Sequence, residues 1–368
     1  MSDVIHLKAV GDIMLGDHPV CMGHGVRSSA EKFGLNYIFQ NIREQLSNCD
    51  LLFGNLESVL SDIGMVPGKL ESMEIRGKRE FASILSSIGF NVLSFANNHA
   101  LQHGLAAFND TVNALSKNRI ECIGLNNGEE SNVFNFDKGD VRLSIVGFSL
   151  RPEKFLKENQ PYARGYESKI CSQVSRLKAS GRLVVVSLHW GEEYINYPSI
   201  EQIMIGRKII DSGACLILGH HPHVLQGVEL YKGALIVYSL GNFIFDKWQK
   251  NPRETMLLSC RIDKKGLQSH SILPIFINKR YQPTIANSNH SVRIKKKIEQ
   301  YSQLIAKMAS DDFESAMEQY KKAVEKAYLK FRIESYIYFV LNIYKYKPSI
   351  IQQSLYRFLY RRIETTTH

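Results

Sequence analysis

The pattern of apolar and polar positions predicts alternating strands and helices over the first 280 residues. Runs of about four to eight apolar residues bounded by polar or glycine positions are typical of buried strands, whereas apolar residues at three- and four-residue spacing indicate helices. The predicted strands are His6–Val10, Leu51–Gly54, Val92–Ala96, Leu143–Phe148, Leu183–Leu188 and Cys215–Leu218. The predicted helices are Tyr37–Ser47, Glu80–Ser87, Leu105–Lys117, Ser168–Ala179 and Ile200–Ser212. This alternation favours α/β layering, with parallel strands covered by helices.

The pattern changes twice in the C-terminal half. After Pro222, strand-like runs joined by short turns at Lys232-Gly233 and Lys265-Gly266 predict a second, more antiparallel sheet packed on the first. The runs are Val224–Leu230, Ala234–Ser239, Met256–Arg261 and Ser271–Ile277. Residues 292–330 contain no Pro or Gly and predict one or two helices, and Pro348 is expected to divide the aromatic stretch that follows. We therefore expect one domain over residues 1–290 and a helical extension over residues 291–368.

Five of the apolar runs end in side chains that can bind a metal ion. These side chains are Asp12, Glu57, Asn98 with His99, His189, and His221 with His223. Ligands collect at the carboxyl ends of strands in open α/β sheets, so we expect these residues to meet at one rim. Each alone has an ordinary explanation: Asp12 as a cap, Asn97 and Asn98 as turn residues, His189 as a core histidine. Their joint occurrence at five strand ends is what favours a metal site.

The residue types suit a pair of divalent cations, and the mixed oxygen and nitrogen ligands accept Mn, Fe or Zn equally well. We expect Glu57 to bridge the two ions and His99 to act as a general acid or to stabilise developing charge. Such a pair clamps a phosphoryl or acyl oxygen and generates hydroxide as the nucleophile. In an extended segment residues two apart face the same side, so His221 and His223 are expected to point into the site and His220 away from it.

Composition limits the alternatives. The 368 residues are 44% hydrophobic and 22% charged, which is ordinary for a globular protein. The N-terminus resembles no secretory signal, and no apolar run is long enough for a membrane span, so we expect a cytoplasmic protein. The six scattered cysteines indicate neither a disulfide framework nor a thiolate site. Residues 292–368 hold 15 Lys and Arg against 8 Asp and Glu, so +7 of the net charge of +10 belongs to the C-terminal segment.

The sequence also resembles the CapA family of capsule and poly-γ-glutamate biosynthesis proteins, within the calcineurin-like metallophosphoesterase superfamily. The matching segments are VGDIMLG, GNLES, GFNVLSFANNHALQHG, VVVSLHWGEEY and ILGHHPHVLQGVELYKGALIVYSLGNFIFD, which span residues 7–246. The resemblance implies a four-layer α/β/β/α sandwich with a metal centre at the strand ends. It implies that His99 is the catalytic histidine and that the metal ligands are Asp12, Glu57, Asn98, His189, His221 and His223.

The chain departs from the superfamily pattern at several positions. Met14 replaces the histidine that usually lies two residues after the first Asp, so one metal would lack a ligand. Asp17 and His18 are candidates to supply it, and the alternative is that both are solvated loop residues. Gln102-His103 replaces a common Asp-Tyr pair, and His103 is a candidate to enter the pocket instead. The remaining supporting candidates are Asn97, Glu193, His220 and Asn242. A basic loop offers Arg76 and Lys78 as candidate substrate-binding residues, although a solvated surface explains them equally well.

Two functions remain open at this stage. The first is a metal-dependent hydrolase of the phosphoesterase type that acts on an anionic small molecule or polymer. The second is a non-catalytic metal-binding component of a membrane-linked polymer synthesis or export complex. The aromatic C-terminal segment either packs on the α/β body, binds an anionic membrane surface, or docks to a polymer synthase. The basic residues concerned are Lys345, Lys347, Arg357, Arg361 and Arg362. The charge and aromatic content of this segment alone would allow nucleic-acid binding, but no recognition motif supports it, so we expect none.

Overall fold

The computed structural model describes residues 3–156, 159–308 and 312–364. The strands are β1 (Ile5–Ile13), β2 (Leu51–Leu56), β3 (Val59–Leu60), β4 (Arg76–Gly77), β5 (Val92–Ser94), β6 (Glu121–Ile123), β7 (Val133–Lys138), β8 (Val141–Ser149), β9 (Leu183–His189), β10 (Ala214–His220), β11 (Val228–Tyr231), β12 (Ala234–Val237), β13 (Asn242–Ile244), β14 (Glu254–Asp263), β15 (Gly266–Ile277) and β16 (Pro283–Ile285). The helices are α1 (Val26–Phe33), α2 (Leu35–Phe39), α3 (Arg43–Leu46), α4 (Leu70–Met73), α5 (Phe81–Ile88), α6 (Gly104–Lys117), α7 (Glu167–Ala179), α8 (Ile200–Asp211), α9 (Ser288–Met308), α10 (Phe313–Leu341) and α11 (Pro348–Glu364).

The strands form two large sheets, and each sheet contains strands from both before and after Pro222. The first sheet has the order β16-β15-β14-β1-β2-β5-β6, with β13 also paired to β1, and the second has the order β11-β12-β10-β9-β8-β7. The prediction of a separate sheet after Pro222 is therefore wrong. Strands β11 and β12 extend the second sheet through β10, whereas β14 to β16 return to the first sheet beside β1. Local patterns identified these strands, but pairing between distant strands decided the sheet to which each belongs.

The two sheets pack face to face and each is covered by helices on its outer side. Side chains such as Leu7 and Phe53 of the first sheet meet Ile145, Val185 and Leu218 of the second in one buried cluster. A second cluster joins the outer face of the first sheet to α1, α2, α5 and α6, and a third joins the second sheet to α7 and α8. The expected four-layer α/β/β/α sandwich is confirmed.

One predicted helix is divided in the structure. The segment Tyr37–Ser47 forms the ends of α2 and the short α3 instead of one continuous helix. The amide of Gln282 donates to the Tyr37 carbonyl at 2.7 Å, and the amide of Asn41 donates to the Gln282 side-chain oxygen at 3.2 Å. The Gln282 side chain thus makes hydrogen bonds at the position where a continuous helix would bond within itself. The sequence pattern of Tyr37–Ser47 does not reveal this contact.

The C-terminal helices pack on the sandwich. Ile294 and Ile298 of α9 join the cluster between the sheets, and α10 ends before a short turn that leads to Pro348, where α11 begins as predicted. The side chains of Arg361 and Arg362 lie outside the described part of the chain. Among the described residues, none of the helices is both long and apolar enough to span a bilayer. The six cysteines are unpaired with one another, as expected.

Candidate metal centre

Strand pairing brings the predicted residues to one rim. Strand β1 runs parallel to β2 and β13, which places Asp12 between Asn55 and Asn242 in register. Gly11 permits this close approach, because a Cβ there would lie 1.8 Å from the Gly241 carbonyl oxygen. In the facing sheet β9 and β10 are also parallel, and their ends place His189 beside His220. The carboxyl ends of strands from both sheets therefore meet, as the sequence pattern indicates.

Six side chains at this rim are hereafter called the rim cluster; they are Asp12, Glu57, Asn98, His189, His221 and His223. Two groups within it have ligand atoms within 4.8 Å of one another: one is Asp12, Glu57 and His223, and the other is Glu57, His189 and His221. Glu57 belongs to both groups, and its Oε1 lies 3.7 Å from Nε2 of His223 and 3.6 Å from Nε2 of His189. The amide oxygen of Asn98 lies 2.7 Å from the same His189 nitrogen. This geometry provides two adjacent ligand sets with one shared carboxylate.

Buried polar atoms that lack hydrogen-bond partners indicate that the rim cluster is suited to bind divalent cations. Both carboxylate oxygens of Glu57 and both ring nitrogens of His221 are buried without a hydrogen-bond partner in the part of the chain that the structure describes. Buried polar atoms without partners are costly and rare in native proteins, so these atoms call for a bound group that accepts lone pairs from the Glu57 oxygens and from one nitrogen of His221. The donor set combines carboxylate, amide and imidazole ligands, which suits Mn, Fe or Zn.

Burial sets the protonation of the cluster. It raises the pKa of the Glu57 carboxyl well above its ordinary value, and the charges of Asp12 and Glu193 raise it further. It also lowers the pKa of His189 and of His221 well below the ordinary value, which keeps both rings neutral and able to bind a metal. Burial alone would raise the pKa of Asp12, but hydrogen bonding and charge from His220 and His223 hold it well below its ordinary value. The pKa values of two neighbouring carboxyl groups are thus shifted in opposite directions.

The histidine pair reaches the site by a route that the sequence reasoning did not anticipate. His221 and His223 have φ values of 95° and 58°, so the segment is left-handed at both residues and not extended. Such backbone costs about 1–3 kcal/mol per residue and persists where the surroundings enforce it. Here the His221 amide donates to Asp12 Oδ2 at 3.2 Å, and the Pro222 carbonyl accepts from the Tyr194 amide at 2.8 Å. The extended-chain argument was wrong, although the two rings do face one site.

His220 also turns towards the cluster, contrary to the expectation that it points away. It is fully buried, and its Nδ1 lies 3.2 Å from Asp12 Oδ1. Because His220 is the last residue of β10 and its neighbour His221 is left-handed, the alternation of an extended strand does not continue past it. It is placed to support Asp12.

Two asparagines orient proposed ligands through hydrogen bonds. The amide oxygen of Asn242 lies 2.9 Å from Nδ1 of His223 and accepts a hydrogen bond from it, because the amide nitrogen already donates to the carbonyls of His223 and Pro252. This leaves Nε2 of His223 free for a metal, the usual role of such a partner. Asn97 donates to the Leu56 carbonyl at 2.8 Å and thereby fixes the loop that carries Asn98.

Asn55 was missed by the sequence reasoning. Its amide donates to Asp12 Oδ1 at 2.8 Å and lies 3.3 Å from Nδ1 of His189, so it links ligands from the two sheets. Its position within the GNLE segment, two residues before Glu57 on β2, is the signal that could have identified it.

His99 lies at the edge of the cluster. Its Nε2 is 3.9 Å from Glu57 Oε1, and its Nδ1 is 2.7 Å from the side-chain oxygen of Gln102. Burial lowers the pKa of His99 to about 4, so its ring is neutral near pH 7. Glu193 is also close, since it forms a third group of potential ligands with His221 and His223.

Three of the remaining candidates are occupied elsewhere. Asp17 accepts from the backbone amides of Gly23 and Ser28, both at 3.0 Å, and so fixes the start of α1. His18 accepts from the Val20 amide through Nδ1 at 3.2 Å and caps a short turn. His103 lies 2.9 Å from the Glu74 carbonyl through Nε2. These contacts are structural, and neither Asp17 nor His18 belongs to a metal-ligand group among the described residues. His103 does not take up the pocket position proposed for it.

The two basic candidates for substrate binding also have structural partners. Arg76 is 1% exposed, and its guanidinium donates to the carbonyls of Ser72 and Ile63. The Lys78 ammonium lies 3.6 Å from Glu31. The expectation that Arg76 binds substrate is wrong, because its guanidinium is buried against backbone carbonyls. Lys78 likewise pairs with Glu31 of α1 and with Glu80.

A different cation lies beside the rim cluster. Lys247 is 3% exposed, donates to the Tyr194 hydroxyl at 3.0 Å, and lies 5.1 Å from the ring centre of Phe331 on α10. Burial lowers the pKa of Lys247, while the carboxylates of Glu193 and Asp246 oppose that change. The rings of Tyr194 and Phe331 are stacked 4.4 Å apart, so the C-terminal extension forms part of the wall of the site. A single lysine after a strand gives no such signal in the sequence.

Comparisons with known proteins identify relatives of the chain. The sequence model of the family described as bacterial capsule synthesis protein PGA_cap matches residues 6–247. The capsule biosynthesis protein CapA of Bacillus anthracis is 30% identical over 287 residues, covering 75% of this chain and 68% of its own. The PGA biosynthesis protein CapA of Bacillus subtilis (strain 168) is 31% identical over 284 residues, covering 75% and 73%.

Among solved structures, a 5'-nucleotidase from Candida albicans SC5314 overlaps 82% of this chain and 58% of its own with 12% identity and a TM-score of 0.42, too low a likeness to bear on function. The family match, in contrast, covers every residue of the rim cluster and leaves out α9, α10 and α11. The chain belongs to the bacterial capsule synthesis protein PGA_cap family.

Proposed function

We propose that the chain is a dinuclear metal-dependent hydrolase of the phosphoesterase type that acts on an anionic substrate in capsule or poly-γ-glutamate biosynthesis. The observation that carries the proposal is the pair of ligand groups that share Glu57, whose two buried oxygens have no hydrogen-bond partner among the described residues. A carboxylate in this position is suited to bridge two ions. The family membership and the names of the two CapA relatives supply the biosynthetic context.

The proposed ligands divide between the two ions. Asp12, Glu57 and His223 would hold one, and Glu57, Asn98, His189 and His221 would hold the other. When bound, such a pair supplies Lewis acidity towards a phosphoryl oxygen and hydroxide at neutral pH. The protein's own contribution is orientation, because Asn55 bonds to Asp12 and Asn242 to His223, while His220 lies 3.2 Å from Asp12.

His99 is the proposed catalytic histidine. Its buried ring carries a proton at Nδ1, held by Gln102, and directs Nε2 towards the cluster. In this tautomer Nε2 can accept a hydrogen bond from the reacting group or, once protonated, donate to a leaving oxygen. Lys247 is placed to attract an anionic substrate, because a buried cation in a low-dielectric wall exerts a stronger field than one in water.

A panel of phosphomonoesters, phosphodiesters and γ-glutamyl peptides tests the proposal. The chain would be stripped with EDTA, reloaded with Mn²⁺, Fe²⁺ or Zn²⁺, and assayed beside Asp12→Asn and His221→Gln. Turnover that requires metal and is lost in both variants supports the proposal. His290→Gln serves as the control, because His290 lies at the start of α9 against Phe276. Full activity of a metal-free Glu57→Ala protein would refute it.

A non-catalytic assembly role is the second candidate, and one observation favours it. Met14 occupies the position of a usual ligand histidine, and its sulfur accepts from the Gly16 amide at 3.1 Å, so one ion would have only three of the expected protein ligands. This role predicts stoichiometric metal without turnover on any member of the panel, together with recovery of a membrane-bound synthase component in pull-downs.

The C-terminal extension offers a surface for such a partner or for an anionic membrane. Large apolar residues recur on α10 at three- and four-residue spacing and remain 49–70% exposed; they are Leu329, Ile333, Ile337, Val340 and Leu341. Contiguous exposed apolar residues near basic ones are typical of interaction surfaces. Sedimentation with anionic and neutral vesicles would separate the cases: Leu341→Ser should weaken salt-sensitive binding to anionic vesicles, whereas Leu230→Ser on β11 should not.

A further inference from the structure

A chain of side chains connects His99 to the loop before β4. Nδ1 of His99 lies 2.7 Å from the Gln102 side-chain oxygen, and the Gln102 amide nitrogen donates to Glu74 Oε1 at 3.2 Å. Because a carboxylate only accepts hydrogen bonds, it fixes the orientation of the Gln102 amide, and its oxygen must then face His99. The proton of His99 is therefore at Nδ1, and Nε2 presents its lone pair towards Glu57, 3.9 Å away.

Glu74 is held in turn by the last helix. Arg357 on α11 contacts both of its carboxylate oxygens, Oε2 at 2.5 Å and Oε1 at 3.5 Å. The Glu74 side chain is only 12% exposed and that of Arg357 30% exposed, so the pair is less screened than a surface ion pair. The carbonyl of Glu74 also accepts from His103, which fixes the backbone beneath the side chain.

Helix α11 is anchored firmly enough to transmit this constraint. The Gln353 side chain accepts from the Leu70 amide at 2.9 Å and donates to the Gly68 carbonyl at 2.7 Å. A buried apolar cluster that contains Leu70, Tyr346 and Ile350 joins the same helix to α4. Arg357 is therefore presented to Glu74 by a packed interface, although it lies some hundred residues beyond the family match, which ends at residue 247.

We propose that α11 completes the catalytic site by positioning His99 through Arg357, Glu74 and Gln102. The effect on catalysis rests on the proposed function. The positioning of the His99 ring by these residues does not. The three are positioning residues: they touch neither substrate nor metal, and they fix the rotamer and tautomer of the ring that does. The link from α11 to His99 is a neutral amide, Gln102, oriented by the Glu74–Arg357 ion pair.

The kinetic test uses the full-length, Mn²⁺-loaded protein and bis(p-nitrophenyl) phosphate. Arg357→Met and Gln102→Leu should each lower kcat on the order of 10- to 100-fold with little change in KM or metal content, because misplacement of a catalytic group acts on the chemical step. The double variant should be no worse than Gln102→Leu, and Arg357→Lys should recover most of the rate. Lys347→Met, which removes a neighbouring exposed cation, is the control.

The decisive comparison is made in a protein without the catalytic histidine. In His99→Gln, adding Arg357→Met should change kcat less than twofold; an equal loss in both backgrounds would overturn the inference by assigning Arg357 a general structural role. Imidazole ¹⁵N spectra of the Zn²⁺-loaded protein provide a readout that needs no turnover. His99 should be protonated at Nδ1 alone in the native chain and become a mixture of tautomers in Arg357→Met. An unchanged tautomer refutes the relay, whereas absence of turnover with the expected spectra refutes only the proposed reaction.

Discussion

Replacing Glu57 should have opposite effects on the metal-free and the metal-loaded protein. Glu57 is fully buried, and neither carboxylate oxygen has a hydrogen-bond partner. A buried polar group left unpaired costs about 1–3 kcal/mol, so Glu57→Leu should raise the free energy of unfolding of the metal-free protein by about that amount. At about 2 °C per kcal/mol for a chain of this size, the melting temperature in EDTA should rise by about 2–6 °C.

The same substitution should abolish stabilisation by metal. A ligand present at 100 times its dissociation constant stabilises the folded state by about 2.7 kcal/mol per site, which corresponds to about 5 °C per ion. The native chain should show this increase with Mn²⁺, and Glu57→Leu should show almost none because its carboxylate is shared by both ligand groups. Differential scanning calorimetry with and without Mn²⁺ measures both effects.

Glu254 provides the matched control. It is also a buried carboxylate, 2% exposed, but it is paired with Arg293 at 2.9 Å and with Lys297. Glu254→Leu should therefore lower the melting temperature in EDTA and leave the increase with Mn²⁺ intact. The reasoning is refuted if Glu57→Leu is the less stable of the two variants in EDTA, or if it retains the full metal-dependent increase.

Three further predictions follow from single contacts. Asn242→Leu removes the acceptor for His223 Nδ1 and should weaken Mn²⁺ affinity about 10- to 100-fold by titration calorimetry, and an unchanged affinity would contradict the orienting role. His99→Gln should retain two metals by elemental analysis while kcat falls about 10²- to 10⁴-fold, and loss of metal would instead identify His99 as a ligand. Burial raises the pKa of Asp246 from 3.8 to about 8, so the folded state holds a proton that the unfolded state releases and stability falls as pH rises between those values. Asp246→Asn should thus raise the melting temperature more at pH 8 than at pH 5, and an equal change at both would contradict the assignment.

The local pattern of the sequence predicted most of the fold. The apolar runs of β1, β2, β9 and β10 lie where expected, because β2, β9 and β10 are buried throughout and β1 at every residue except His6 and Lys8. Sheet membership after Pro222 was not predictable in the same way, since β14 pairs with β1 more than two hundred residues away. Such a pairing depends on the packing of the whole sandwich and leaves no periodic signal.

The candidate site shows the same division. The residues of the rim cluster come from strand ends and could be chosen from the sequence because their chemistry is conspicuous there. Asn97 and Asn242, which orient some of them, were also candidates from the sequence, but Asn55 and Lys247 were not. Asn55 contributes because strand pairing places it beside Asp12. Lys247 contributes because it is buried beside Phe331, a residue of the extension. Arg76 illustrates the reverse case, because a basic residue in a loop resembles a substrate ligand until its buried backbone partners are known.

The central claim is that one carboxylate joins two metal ions at the meeting point of the sheets. A crystal of the Mn²⁺-loaded chain, measured at the manganese absorption edge and compared with elemental analysis of the same sample, tests it most directly. Two anomalous peaks should appear, both contacting Glu57, one also near Asp12 and His223 and the other near His189 and His221. No peak, or a single ion held away from Glu57, would contradict the account.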